Sequence, residues 1–197
     1  RIDLMTIDEL PDIVYHGTLD LYKESLENGI NLSHSKNNLD FGKGFYTTSN
    51  YKQAVKFALK RAEFSGNKPL IISYEINKEI MYQFASNCLF FNYTDEKWYE
   101  FVFNNRVKNG NIISEFHNKN CMYDIVYGSV ADGAIGLLTR KARDNQVDFQ
   151  EFVKSVKPYD NYNQLSFHTN NSLKALMLSN IEIIENKKED ALCLYQK

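Results

Sequence analysis

Apolar and polar positions along the chain change period repeatedly, and the changes mark an alternation of strands and helices. Pro69-Leu70-Ile71-Ile72-Ser73-Tyr74-Glu75-Ile76 is an apolar, β-branched and aromatic run that predicts a strand. Asp12 to Thr18, Phe45 to Thr48, Asp124 to Gly128 and Leu165 to Thr169 are shorter runs of the same kind. Between them the pattern turns helical. Thr18 or Asp20 caps a first helix carrying Leu21, Tyr22 and Leu26 and stopped by Gly29. Ser49 or Asn50 caps a second through Gln53 to Lys60, ending near Gly66. Asp95 to Lys108 predicts a third, with Trp98, Phe101, Val102 and Asn105 on one face. Residues 134–157 read as helix in two pieces, and Asn170 or Asn171 caps a helix over Ser172 to Met177. Residues 79–93 fit neither period. Ile181 to Glu185 and Ala191 to Tyr195 are expected to pair as terminal strands. The alternation, without repeats or a linker, predicts one mixed α/β domain over residues 1–197.

Composition narrows the function classes. A net charge of −2 gives no global basic field to recruit nucleic acid. The apolar share of 43% and charged share of 24% are those of an ordinary globular chain. Its 13 Tyr and 13 Phe suit an aromatic-lined pocket and a β-rich core equally. Cys88, Cys121 and Cys193 are odd in number and lack metal-ligand spacing, so a reduced, cytoplasmic setting without a metal centre is expected. No apolar run approaches the ~18 residues that span a bilayer.

The stretch Asp40-Phe41-Gly42-Lys43-Gly44-Phe45-Tyr46-Thr47-Thr48 holds two glycines one residue apart, then aromatics and threonines. Alone it reads as a tight turn entering an edge strand, or as a wall for a small planar ligand. Upstream stands Tyr15-His16-Gly17-Thr18 at the end of another strand. Together the two motifs resemble the first signature strands of ADP-ribosyltransferases of the diphtheria-toxin and poly(ADP-ribose) polymerase type. Over about Ile13 to Leu178 the chain is similar to a bacterial family of unknown function within that superfamily.

That resemblance implies a split, mostly antiparallel sheet with flanking helices and an NAD cleft. It implies a His-Tyr-Glu triad on three strands, here His16, Tyr46 and Gln164, so the third carboxylate is replaced by an amide. It further implies an NAD-contacting set of His16, Gly17, Thr18, Gly44, Phe45, Tyr46 and Phe57. His16 meets a ribose hydroxyl, the Gly17 backbone holds the nicotinamide amide, and Tyr46 stacks on the nicotinamide ring. Phe57, eleven residues on, is either a second stacking ring or core, and Ala54 stands where related enzymes place a serine. A carboxylate would stabilise the positive charge that develops as the glycosidic bond breaks. Gln keeps the hydrogen-bonding reach without the charge. Asp132 is the spare carboxylate, or a helix cap.

The remaining polar residues have plainer readings. Lys43 either faces phosphate or is solvated, Arg140, Lys141 and Arg143 form a basic run that either meets an acidic target or is solvated helix surface, and His34 and His117 read as surface. Trp98 and Arg106 match a Trp…Asn-Arg stretch of the family without a physical role. The function implied is mono-ADP-ribosyl transfer from NAD as co-substrate to an unidentified protein or nucleic-acid acceptor, without polymer formation. An NAD glycohydrolase and a non-catalytic NAD-binding sensor are the alternatives. The resemblance also carries a toxin or phage-defence setting with a small neutralising partner.

Overall fold

The apolar run at Pro69–Ile76 becomes β3, the middle strand of a three-stranded sheet and buried along nearly its whole length. In this computed structural model, residues 6–108, 111–131, 137–138, 140–141 and 147–185 are described. β1 (Ile13–Leu19) lies antiparallel on one side of β3, setting His16 opposite Ile72 and Gly17 opposite Ile71. β7 (Leu176–Ile183) lies antiparallel on the other. A second sheet has the order β2 (Phe45–Thr47), β6 (Pro158–Phe167), β5 (Ile125–Ala131), β4 (Cys88–Phe90) and is antiparallel except between β4 and β5. The sheets meet through one isolated pairing, Tyr15 with Thr48. The architecture is α+β, two mostly antiparallel sheets with flanking helices, as the sequence leads one to expect.

Helices cover the sheets where the apolar pattern places them. Asn50 caps α2 (Tyr51–Ala62) by accepting the Gln53 N–H at 3.1 Å. The buried face of α2, Ala54, Val55, Ala58 and Ala62, is made of small residues, so the helix seats close on β1 and β3. α4 (Glu96–Arg106) is capped by Asp95 and buries Trp98, Phe101, Val102 and Asn105, the predicted face. Those rings join Phe41, Phe91 and Phe152 in one core. A second core of Val14, Phe45, Leu70, Ile72 and Phe167 fills the space between the sheets. Burying each such side chain contributes about 1.5–3 kcal/mol. The short helices α1 (Lys23–Glu27), α3 (Lys78–Tyr82) and α5 (Phe149–Ser155) complete the flanks.

Several expectations are corrected. The predicted helix over Ser172 to Met177 is only a 3-10 turn, Ser172–Ala175, and β7 starts at Leu176. There the ladder along β3, with Leu176 opposite Ile76, outweighs local helix propensity. Neither Thr18 nor Asp20 caps the first helix. Thr18 belongs to β1, and Asp20 Oδ1 accepts from the Lys68 N–H at 3.0 Å. The ambiguous residues 79–93 contain the end of α3, a 3-10 turn and β4. β6 starts earlier than expected, at Pro158, and ends at Phe167. Asp132, Arg143 and the predicted strand Ala191 to Tyr195 lie outside the described residues.

Candidate functional site

The chemistry-bearing residues singled out in the sequence come from three neighbouring strands. Tyr15 and Thr48 exchange both backbone hydrogen bonds, at 2.8 and 2.9 Å, which fixes β1 against β2. Tyr46 of β2 is registered opposite Ser166 of β6, two residues from Gln164. His16, Tyr46 and Gln164 are thus carried by adjoining strands at the junction of the two sheets.

His16 is held from two sides. Its ring lies on Phe45 with centroids 4.4 Å apart, and Nδ1–H donates to the Tyr46 carbonyl at 2.8 Å. Desolvation lowers the imidazole from its ordinary 6.5 to about 4, against the opposing effect of that hydrogen bond and helped slightly by Arg61. The ring is therefore neutral at pH 7. With the proton on Nδ1, Nε2 is an acceptor, and it has no hydrogen-bond partner among the described residues.

Gly17 follows on the same strand edge. In an antiparallel ladder, residues two apart direct their N–H and C=O the same way. Tyr15 directs both toward Thr48, so Gly17 directs both to the same side, away from β3. Neither group has a partner among the described residues, although Gly17 is buried. Buried backbone groups are rarely left unpaired, so this pair invites a ligand. The residue must be glycine for a further reason: a Cβ would stand 2.2 Å from the Ala54 carbonyl oxygen. Thr18, 2% exposed, continues β1 beyond it.

The Tyr46 hydroxyl is committed to the glycine stretch. It donates to the Gly42 carbonyl at 2.6 Å and accepts from the Phe41 N–H at 3.0 Å. Burial, reinforced by the nearby Asp40 carboxylate, raises the phenol well above its ordinary value, so it stays protonated. Gly42 has φ +90°, a conformation that favours glycine. Gly44 and Phe45 serve packing. A Cβ on Gly44 would meet His168 Nδ1 at 2.6 Å, and the Phe45 ring sits in the core beneath His16. Phe57 is not core: it is 53% exposed on α2, with the Arg61 guanidinium 5.7 Å from its ring. The Tyr46 ring instead neighbours Phe41 and His168.

The carboxylate that touches Gln164 is Asp40. Gln164, 7% exposed, donates from Nε2 to Asp40 Oδ2 at 2.9 Å and to the Ser129 carbonyl at 3.1 Å. Asp40, 4% exposed, also accepts from the Ala131 N–H at 3.2 Å, from Arg106 Nε at 2.7 Å and from Arg106 Nη2. Sequence reasoning places Asp40 in the signature stretch without seeing its role, and notes Arg106 without one. It misses His168 as well. The His168 Nδ1–H donates to the Lys43 carbonyl at 2.8 Å, Nε2 lies 2.8 Å from Ser166 Oγ, and desolvation lowers the ring to about 4. His117, expected at the surface, is buried, and its Nδ1 accepts from the Lys119 N–H. Arg140 and Lys141 are exposed as expected.

A hollow of about 230 Å³ adjoins Gln164 through Ser129 and Asn163 and is walled by Phe91, Tyr127, Tyr159 and Tyr162. It includes neither His16 nor Gly17 nor Tyr46, and those strand-edge residues, with their unpartnered polar groups, are the better candidate site. Among the described residues no helix is long and apolar enough to cross a membrane. Comparison with curated proteins and with solved structures gives no significant match. The family described as Protein of unknown function (DUF3990) matches residues 13–178, a span running from β1 into β7 and taking in every residue of the cleft, and the chain belongs to that family.

Proposed function

We propose that the chain is a mono-ADP-ribosyltransferase that cleaves NAD in the cleft between β1, β2 and β6. One observation carries the reading: the unpartnered N–H and C=O of buried Gly17, beside the unpartnered Nε2 of neutral His16. A primary carboxamide such as that of nicotinamide offers the matching acceptor and donor in one plane. A ribose hydroxyl is a matching donor for His16 Nε2. Gln164 spends its amide N–H groups on Asp40 and Ser129, which leaves Oε1 to accept a second ribose hydroxyl. The Tyr46 ring, fixed through its hydroxyl, suits the role of a flat stacking surface.

In the reaction the bond between ribose C1′ and the nicotinamide nitrogen breaks, and its electron pair leaves with nicotinamide. A nucleophile of the acceptor forms the new bond to C1′ and releases its proton to solvent. Gln164 offers a carbonyl dipole where a carboxylate would offer full charge, which favours slow transfer of a single ADP-ribose. The same amide favours, as a second reading, a glycohydrolase or an NAD-binding sensor. A cytoplasmic toxin or phage-defence effector with a macromolecular acceptor and a small neutralising partner is the setting that the resemblance suggests.

The test is incubation of the protein with adenylate-labelled NAD and cell lysate, followed by separate protease and nuclease treatment. Label moving to a macromolecule with wild type and not with His16→Ala is the expected result. Free ADP-ribose alone would indicate the hydrolase, and NAD binding without nicotinamide release the sensor. Absence of both NAD binding and nicotinamide release would overturn the proposal.

A further inference from the structure

The third-strand residue of the cleft is an amide, and an amide can face a ligand with its oxygen or its nitrogen. We propose that the buried Asp40–Arg106 ion pair decides this: it is a positioning device that holds Gln164 with Oε1 toward the cleft, resting on the reading of that cleft as an NAD site. Arg106 supplies two N–H groups to Asp40 Oδ1, at 2.7 Å from Nε and again from Nη2. Oδ2 is thereby turned toward the Ala131 N–H at 3.2 Å and Gln164 Nε2 at 2.9 Å. The other acceptor of Nε2 is the Ser129 carbonyl at 3.1 Å. Carboxylate and carbonyl oxygens only accept, so both must meet the amide nitrogen. Rotating the amide would set Oε1 against two acceptors, in a site where Gln164 is 7% exposed and Asp40 4%.

The device explains α4. That helix delivers Arg106 from its last turn to Asp40, and Trp98 from its first turn donates Nε1–H to the same Ser129 carbonyl at 3.3 Å. Both acceptors behind Gln164 are thus tied to one helix, itself locked in the aromatic core by Trp98 and Phe101. Arg106 also balances the buried charge of Asp40, so the cleft meets a neutral, oriented amide in front of a compensated ion pair. An oxygen in that place accepts a ribose hydroxyl. An NH2 group there would compete with the hydroxyl as donor and oppose developing positive charge.

Asp40→Asn puts an NH2 group where Oδ2 now accepts, because the remaining oxygen is drawn to Arg106. The Gln164 amide then rotates and presents Nε2 to the cleft. Adding Gln164→Glu restores an oxygen, since a carboxylate accepts from the amide introduced at position 40 and still offers an oxygen to the ligand. In Asp40→Asn the turnover number for nicotinamide release is expected to fall on the order of 10- to 100-fold, the scale of partners that orient a contacting group. KM for NAD is expected to change less, and Asp40→Asn/Gln164→Glu to recover at least about tenfold of the loss. A purely structural Asp40 would give no such recovery. Wild-type turnover in Asp40→Asn, or a double variant no faster than the single one, overturns the proposal. Because Asp40→Asn can fail to fold, a second measurement uses the wild-type protein. The Gln164 side-chain NH2 signals, assigned by their loss in Gln164→Glu, are expected to exchange with solvent at least about 100-fold slower than exposed amides. Exchange at the exposed rate overturns the proposal whatever the variants do. Protected signals in a protein that neither binds nor cleaves NAD would retain the device and discard the functional reading beneath it.

Discussion

Replacing Tyr46 by Phe looks harmless on a sequence, because the ring that would stack on a flat ligand is retained. The structure gives the opposite expectation for stability. The hydroxyl holds the glycine stretch by donating to Gly42 O at 2.6 Å and accepting from Phe41 N at 3.0 Å, and Phe41 is 0% exposed. Its removal leaves a carbonyl and an N–H without partners in a part-buried turn. Each stranded group in this part-buried turn costs about 1–2 kcal/mol, so Tyr46→Phe should lose roughly 2–4 kcal/mol. At this chain length each kcal/mol moves the midpoint by roughly 2–4 °C, which gives a drop of about 5–15 °C. NAD affinity, measured by calorimetry where the variant is folded, should change less than about threefold, since the ring remains. Thermal melts of the ligand-free protein decide. A midpoint within about 2 °C of wild type together with a tenfold loss of NAD affinity would mean that the hydroxyl serves the ligand, and the reasoning would be refuted.

Three further outcomes follow from the same geometry. Gly17→Ala places a Cβ 2.2 Å from the Ala54 carbonyl oxygen, so α2 must lift from β1, at a cost of roughly 1–3 kcal/mol in urea unfolding and with loss of NAD binding. An unchanged urea midpoint would show that β1 and α2 are not in contact there. Gln164→Glu sets a second carboxyl against Asp40, now 2.9 Å from the amide nitrogen, so the pair shares a proton and any gain in nicotinamide release should appear only as pH rises from about 6 to 9. Equal acceleration at the acid end of that range would remove Asp40 from contact. His16 and His168 are each lowered from 6.5 to about 4, so the unfolded chain binds protons that the folded chain refuses. Their stability is fully present above pH 6.5 and is lost as pH falls toward 4, by up to about 1.4 kcal/mol per unit for each histidine, and urea midpoints that stay level over that window would contradict the neutral assignments.

What is legible in the sequence and what is not divide along physical lines. β3 is readable to the residue because its apolar run leaves no alternative to burial, and the start of α2 is readable because Ser49-Asn50 supplies a cap, which the structure assigns to Asn50. The His16, Tyr46 and Gln164 positions stand out as motifs, and the register across β1, β2 and β6 is what makes them neighbours. The start of β7 reads as helix because Ser172 to Met177 has ordinary helix formers, and only the ladder with β3 decides otherwise. Asp40 is invisible as a site residue for the same kind of reason. An acid in a polar loop reads as solvated, and nothing local shows that Arg106 arrives from 66 residues away. His168, read as the end of a strand, and His117, read as surface, show no role until their backbone partners are placed. Phe57 stands at the spacing for a stacking ring, yet its place on α2 leaves it turned to Arg61 and solvent.

The central claim is that NAD is cleaved against the free edge of β1, and nicotinamide release tests it most directly. Purified wild-type protein incubated with NAD and lysate should release nicotinamide steadily, followed by chromatography. His16→Ala, which removes the Nε2 acceptor beside Gly17, should release it at least about tenfold more slowly, the scale of one hydrogen bond to a reacting ligand. Release by both proteins at the same rate, or by neither, would contradict the account.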